Sequence, residues 1–273
     1  MPFRFVTTLP VNFLKKLIRH RGLIRTMVIR DLRGRYVGSV MGFFWSVIHP
    51  VVLLVSYTLV FSVILKQSLG GQAGTTSFAI YLFCGILPWL VFQETLNRSS
   101  NVLIDHSNLI TKTLFPSEIL PVTVLAANLV NHLIGLGIFL VVVLLFFQRI
   151  SLLVLLVPVY LVALLLFSLG LSWFIASVQV FIRDTAQVLS VILTFWFWLT
   201  PIFFDESRVP GRLSFFMRLN PLSQVVTAYR KCLLSFETPS MSGLVFLYAA
   251  AILSFIGGGL FFRYTKKSFA DVL

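Results

Sequence analysis

The chain has 273 residues, 58% of them hydrophobic and 11% charged, with a mean hydropathy of +0.96. A typical soluble domain carries about 25% charged residues, so a soluble globule is excluded, and a disordered chain is excluded by the same numbers. The net charge of +13 resides on cations set between long apolar runs, which points to an anionic membrane face rather than to nucleic acid.

The N-terminus, MPFRFVTTLPVNFLKK, lacks a continuous apolar stretch, and no cleaved signal peptide is expected. Residues 11–35 come next. On a helical wheel Phe13, Leu14, Leu17, Ile18, Ile24, Met27, Val28 and Leu32 share about half the circumference. Lys15, Lys16, Arg19, Arg30 and Arg33 take the other side, while Arg21 and Arg25 intrude and Gly22 is a candidate break. This reads as a helix lying in the membrane interface, with a plain basic flank as the alternative.

Six stretches free of Asp, Glu, Lys and Arg follow, at 36–65, 67–93, 119–148, 150–182, 185–204 and 238–262. Each reaches the roughly 20 residues a spanning helix needs. No alternating strand pattern is present. The expectation is an all-α integral membrane protein, a single transmembrane domain over 1–273 with six transmembrane helices. With the N-terminus inside, the inner segments hold 15 Lys and Arg and the outer segments 7, so both termini are expected on the cytoplasmic side.

Two connections are unusual. Residues 97–118 carry an imperfect amphipathic pattern (Val102, Leu103, Leu109, Ile110, Leu114) closed by Phe115-Pro116. That segment is either a docking helix or a solvated connector. Residues 205–237, on the outer side, are too apolar for an exposed loop and are expected to form short re-entrant helices.

Catalytic and cofactor motifs do not appear. There is no P-loop, no H-E-x-x-H, no paired-cysteine spacing and no G-x-S-x-G. Cys84 and Cys232 are too few for a framework. Gly257-Gly258-Gly259 reads as a helix-packing site. Glu94 is expected near the cytoplasmic end of the second span, and His49 and His132 read as polar contacts between helices, which leaves a proton-driven transporter or an intramembrane hydrolase poorly supported. The 28 Phe, 7 Tyr and 5 Trp suit either an interfacial belt or the apolar faces of sugar rings.

The stretch Arg30-Asp31-Leu32-Arg33-Gly34-Arg35-Tyr36-Val37-Gly38-Ser39-Val40-Met41-Gly42-Phe43-Phe44-Trp45 resembles the opening signature of the membrane subunits of bacterial polysaccharide ABC exporters, of the O-antigen and teichoic acid type. Leu87-Pro88-Trp89, Asn108-Leu109-Ile110 with Lys112, Phe115-Pro116, Ile119-Leu120-Pro121, Arg183-Asp184, Pro201-Ile202, Asn220-Pro221 and Phe269-Ala270-Asp271 follow in the family's order. The resemblance covers nearly the whole chain from about residue 12.

That resemblance implies a homodimer with two separate P-loop ATPase subunits, which bind ATP and Mg, so that this chain needs no cofactor and is not itself an enzyme. It implies a polyprenyl-pyrophosphate-linked glycan as substrate in the bacterial inner membrane, O-antigen foremost, with membrane lipids around it and no nucleic acid. Residues 11–35 become the amphipathic interface helix, and Arg30, Arg33, Arg35 and Tyr36 a substrate entrance gate. Residues 97–118 become the coupling loop, with Asn108, Leu109, Lys112 and Phe115 against the ATPase, and 205–237 the outer gate loop. The first and fifth spans line the channel, placing Tyr57, Phe61, Trp196 and Trp198 near the glycan. The alternatives are a teichoic acid or capsule permease, a small-lipid or drug exporter, or a membrane-embedded envelope-synthesis enzyme or scaffold.

Overall fold

Apolar runs this long can satisfy their backbone groups in a bilayer only within helices, and among the described residues every regular element is helical. The computed structural model describes residues 19–35, 41, 44–64, 75–148, 151–204, 215 and 217–273. Tyr36, and the 11–18 part of the expected interface helix, lie outside them.

Helix α1 (Arg21–Gly34) starts one residue before Gly22, and the break expected at that glycine falls at His20, a turn between the helical Arg19 and Arg21. Helix α2 (Trp45–Tyr57) contains Pro50 and runs on through a wider π-helical stretch, Thr58–Ile64. The Thr58 hydroxyl donates to the Leu54 carbonyl at 2.8 Å where the winding changes. Helix α3 (Thr75–Asp105) is 31 residues long and passes through Pro88. After the short α4 (Ser107–Lys112) comes α5 (Ile119–Phe147), which stops at Gln148 in the left-handed region, φ 53°. A 3₁₀ turn (Leu152–Leu156) leads into α6 (Val157–Phe181), and α7 (Thr185–Leu199) follows after a three-residue turn. Helix α8 (Pro221–Arg230) has Asn220 as N-cap and proline at its first position. It continues as a π-helical turn, Lys231–Ser235, before α9 (Met241–Thr265) and the terminal α10 (Phe269–Val272).

Helix α3 is the centre. Its apolar window is 78% buried, against 17% in α9, because α5, α6, α8, α2 and α7 all pack on it. Among the described residues four helices are long and apolar enough to cross a membrane: Phe78–Asp105, Ile119–Phe146, Leu152–Phe181 and Met241–Val272. The first and fifth apolar runs form shorter apolar helices, Val47–Val60 and Thr185–Leu199. Among the described residues four spans are therefore evident where six were expected.

The core has two parts. One gathers Trp89, Phe92, Phe139, Phe167, Leu193, Val226 and Tyr229. The second, at the end where α1, α4 and α10 meet, gathers Leu103, Leu120, Trp173, Val180, Phe262 and Phe269. Between them α6 and α9 touch backbone to backbone. A Cβ on Gly258 would lie 1.9 Å from the Gly170 carbonyl oxygen, and one on Gly170 would lie 2.3 Å from the Ser254 backbone. Only glycine fits there, which is how the middle of the glycine triplet is used.

Helix α3 runs on through Asn97-Arg98-Ser99-Ser100, where the sequence reading started a loop. Those polar residues face protein rather than water, and the connection itself shrinks to 106–118. The turn Ile182–Asp184 is clamped by Gln179, which donates to the Arg183 carbonyl at 2.9 Å and to Asn101 Oδ1 at 3.0 Å, and accepts from the Ala186 amide at 2.8 Å.

Candidate functional site at the α1 end of the bundle

Asp31 and Arg35 stand one turn apart, with Arg35 just past the end of α1. That turn docks on Glu94 and Arg98, one turn apart on α3, and on Asn128 of α5. Arg35 Nη1 donates to Glu94 Oε1 at 2.9 Å, Nη2 to Asn128 Oδ1 at 2.5 Å, and Nε to Asp31 Oδ2 at 3.3 Å. Arg98 grips the Asp31 carboxylate with both terminal nitrogens, one of them at 3.0 Å. Asn128 Nδ2 donates to the buried Thr95 hydroxyl at 3.1 Å. Two guanidiniums against two carboxylates make the cluster neutral, and a half-buried position requires that balance. Burial pushes the Asp31 carboxyl above its ordinary value of 3.8, with Arg35 and then His106 opposing the shift.

A cavity opens on each side of this cluster. The one toward α1 and the 105–106 region measures about 610 Å³ and is lined by Met27, Arg30, Asp31, Arg98 and His106 among others. The other, about 560 Å³, lies between α2, α3 and α5. Arg35 borders both.

The expected gate cations thus part company. Arg30 is exposed and lines the first cavity, and Arg33 is exposed on α1. Arg35 is not a free cation: its side chain is 13% exposed and spent on Asp31, Glu94 and Asn128. Tyr36 lies outside the described residues. Of the coupling set, Asn108 and Lys112 are exposed and Leu109 half-buried, all on α4. Phe115 turns inward onto the second core cluster together with Ile110, whereas the adjacent Leu114 is fully exposed.

The four expected channel aromatics also separate. Trp198 is 61% exposed and stacks on Phe203 at 5.3 Å. Trp196 points into the bundle, edge-on to Phe92 at 5.2 Å, and its Nε1 donates to Asn220 Oδ1 at 2.9 Å. Tyr57 is half-buried against the first core cluster. Phe61 belongs to the π-helical stretch, and its side chain lies outside the described residues.

At the opposite end, Arg230 of α8 donates to the carbonyls of Pro201 and Ile202, both at 2.5 Å, and lies 3.5 Å over the Tyr81 ring. Tyr81 in turn donates to the Phe204 carbonyl at 3.2 Å, and Asn220 Nδ2 to Thr200 Oγ1 at 3.1 Å. The 200–204 turn after α7 is thereby fastened to α3 and α8. His132 of α5 is buried, with Nδ1 on the Leu87 carbonyl at 3.2 Å and Nε2 on the Tyr229 hydroxyl at 3.1 Å, a contact between helices. Among the described residues no three His, Cys, Asp or Glu come together to hold a metal.

Sequence reasoning gave no role of their own to Asp31, Arg98, Asn128 and Arg230, and named Leu114 only within the amphipathic pattern of 97–118. The signal for the first two was the i, i+4 spacing of opposite charges, Asp31 with Arg35 and Glu94 with Arg98. Nothing local marked Asn128 or Arg230.

The fold and this end of the bundle define a helical, membrane-embedded protein with an amphipathic basic helix docked on its central span. The chain belongs to the ABC-2 type transporter family, whose sequence model matches residues 22–234. It is 29% identical over 263 residues to the O-antigen export system permease protein RfbA of Myxococcus xanthus, covering 96% of this chain and 99% of that one. A Klebsiella pneumoniae protein of the same name is 24% identical over 92% of this chain and 95% of its own. The polysialic acid transport protein KpsM of Escherichia coli is 21% identical over 77% of this chain and 81% of its own.

Proposed function

We propose that this chain is the transmembrane subunit of an ATP-driven exporter that moves a lipid-linked polysaccharide, O-antigen, across the bacterial inner membrane. It works as a homodimer with two separate ATPase subunits that bind ATP and Mg. The observation that carries this reading is the likeness to an O-antigen permease over 96% of the chain. The capsule reading has less behind it, since the likeness to the polysialic acid protein stops at 77%.

The geometry supports the parts of the reading. Among the described residues six apolar helices occur, two of them short, and the excess of cations on the inner segments supports both termini lying in the cytoplasm. Helix α7 buries only Leu189 and Leu193 and leaves Val191, Phe195 and Trp198 exposed, while α2 exposes Val52 and Val55 and its π-helical continuation exposes Leu59. Such apolar faces suit a second copy and a channel between the two. On this reading Trp198 is nearer the glycan than Trp196, and Arg30 and Arg33 rather than Arg35 meet the pyrophosphate. Helix α4 and Leu114 seat in the ATPase, which passes its nucleotide-driven movement to α3.

The test is complementation of a strain deleted for this gene. The intact gene restores surface O-antigen, and Arg30→Ala restores less of it while copurifying normally with the ATPase. A deletion strain that keeps its O-antigen and loses capsule would replace the O-antigen reading with the capsule one; a strain that keeps both would remove the exporter reading.

A further inference from the structure

Helix α4 carries the proposed ATPase contact, yet nothing within α4 fixes its direction. It has six residues and buries none of them. A helix that short has no stability of its own in water. Its N-cap, His106, turns its ring to the Val102 carbonyl at 2.9 Å and leaves the amides of the first turn uncapped. The orientation of α4 is therefore decided by what it rests on. Besides α3, which precedes it in the chain, α4 packs against α10.

Helix α10 is anchored in the bundle as α4 is not. Phe269 is fully buried, edge-on to Phe262 of α9 at 5.3 Å and 6.1 Å from Phe181, the last residue of α6. Leu273 packs on the same core cluster that receives Ile110 of α4 and Phe115. Lys266, in the 3₁₀ turn that leads into α10, forms an ion pair with Glu118 at the start of α5. The Glu118 carbonyl is held in turn by Trp173 Nε1 at 3.1 Å. The 106–118 connection thus meets the 266–273 segment at both of its ends. The outer side of α10, Ala270, Asp271 and Val272, is exposed. A segment that only plugged the core would need Phe269 alone; the ion pair and Leu273 add contacts directed at the connection.

We infer that α10 is a brace for α4, and that Phe269 and Leu273 are positioning residues that set the angle at which α4 meets the ATPase. The inference rests on the reading of α4 as the ATPase contact. The brace also reaches further into the bundle. Phe269 meets Phe181, and Gln179, two residues before Phe181, holds the turn that opens α7. A displacement of α4 is therefore felt at the start of α7 as well as on α3.

The experiment uses the full permease in nanodiscs, titrated with its ATPase. A nitroxide on Thr111→Cys, exposed on α4, reports the order of that helix by electron paramagnetic resonance. The native Cys84 and Cys232 are buried and do not compete for the label. The same label on Met241→Cys, exposed at the far end of α9, reports on the bundle. In Phe269→Ala and Leu273→Asp the mobile fraction at 111 is expected to rise at least twofold, with 241 unchanged, and ATPase affinity to fall at least threefold. Phe269→Leu is expected to restore most of both, and Asp271→Asn and Val272→Ala to match the parent. Should Phe269→Ala fail to assemble, Leu273→Asp decides alone. An unchanged spectrum at 111, or equal loosening at 111 and 241, would overturn the brace. So would an affinity lowered as far by Asp271→Asn and Val272→Ala, which makes α10 a direct ATPase contact. A mobilised label with unaltered affinity removes the positioning role if Leu114→Glu still weakens the ATPase. If Leu114→Glu leaves the ATPase bound as well, the reading of α4 as the docking helix fails and takes this role with it.

Discussion

Arg35 and Glu94 lie 59 positions apart in the chain and meet at 2.9 Å, joining the end of the amphipathic helix α1 to the central helix α3. Through this pair, with Asp31, Arg98 and Asn128 around it, the basic N-terminal helix is held on the bundle. Removing either partner leaves a half-buried charge uncompensated. Arg35→Ala and Glu94→Gln are each expected to lower thermal stability. In a double-mutant cycle the pair is expected to couple by about 1–3 kcal/mol. Additive losses in the thermal unfolding of the purified complex would show that the contact carries no energy of its own.

The contact between α6 and α9 makes a sharper steric prediction. Gly258→Ala places a methyl group 1.9 Å from the Gly170 carbonyl oxygen, and backbone cannot rotate out of the way. The helices must separate, and a loss of about 1–3 kcal/mol or more is expected. Gly257→Ala, one residue earlier, meets nothing within 4 Å and is expected to be tolerated. Comparing the melting temperatures of the two variants checks the orientation of the triplet.

Leu114 and Phe115 are neighbours with opposite surroundings, one fully exposed and one packed on the second core cluster. Leu114→Glu is expected to weaken copurification of the ATPase with little change in the melting temperature of the permease. Phe115→Glu is expected to lower that melting temperature, because it forces a carboxylate against apolar side chains. If both variants melt like the parent and keep the ATPase, this connection is a solvated linker.

Arg230 satisfies two carbonyls of the turn after α7. Arg230→Met would leave both without that donor and is expected to cost about 1–3 kcal/mol. Arg230→Lys is expected to restore only part of the loss, since a single ammonium cannot match a planar fork held between two carbonyls. Gly85→Ala acts on the same guanidinium from the other side, its Cβ falling 2.7 Å from Nη2. Unfolding curves for the three variants test whether the turn depends on this clasp.

The sequence by itself determined that the chain lives in a membrane, that its apolar runs are helical, and that its first helix is basic and amphipathic. Those properties follow from local composition and from the requirement that a backbone in lipid bond to itself. The ordered motifs also identified the family that the whole-chain comparisons bear out. Only the tertiary structure decided which polar residues are spent and which are free. Arg30 and Arg35 look alike in sequence, yet Arg35 is neutralised by carboxylates from α1 and α3, and Arg30 is not. Trp196 and Trp198 stand two apart, so on a helix they point about 200° from each other, and which one faces inward is set by Asn220 and Phe92. The end of α3 was misjudged for the same reason. The polar run at 97–100 looks like a loop until Asp31 of α1 and Asn128 of α5 are present to pair with Arg98. The satisfaction of a polar atom depends on neighbours that are distant in the chain, and no local pattern records it.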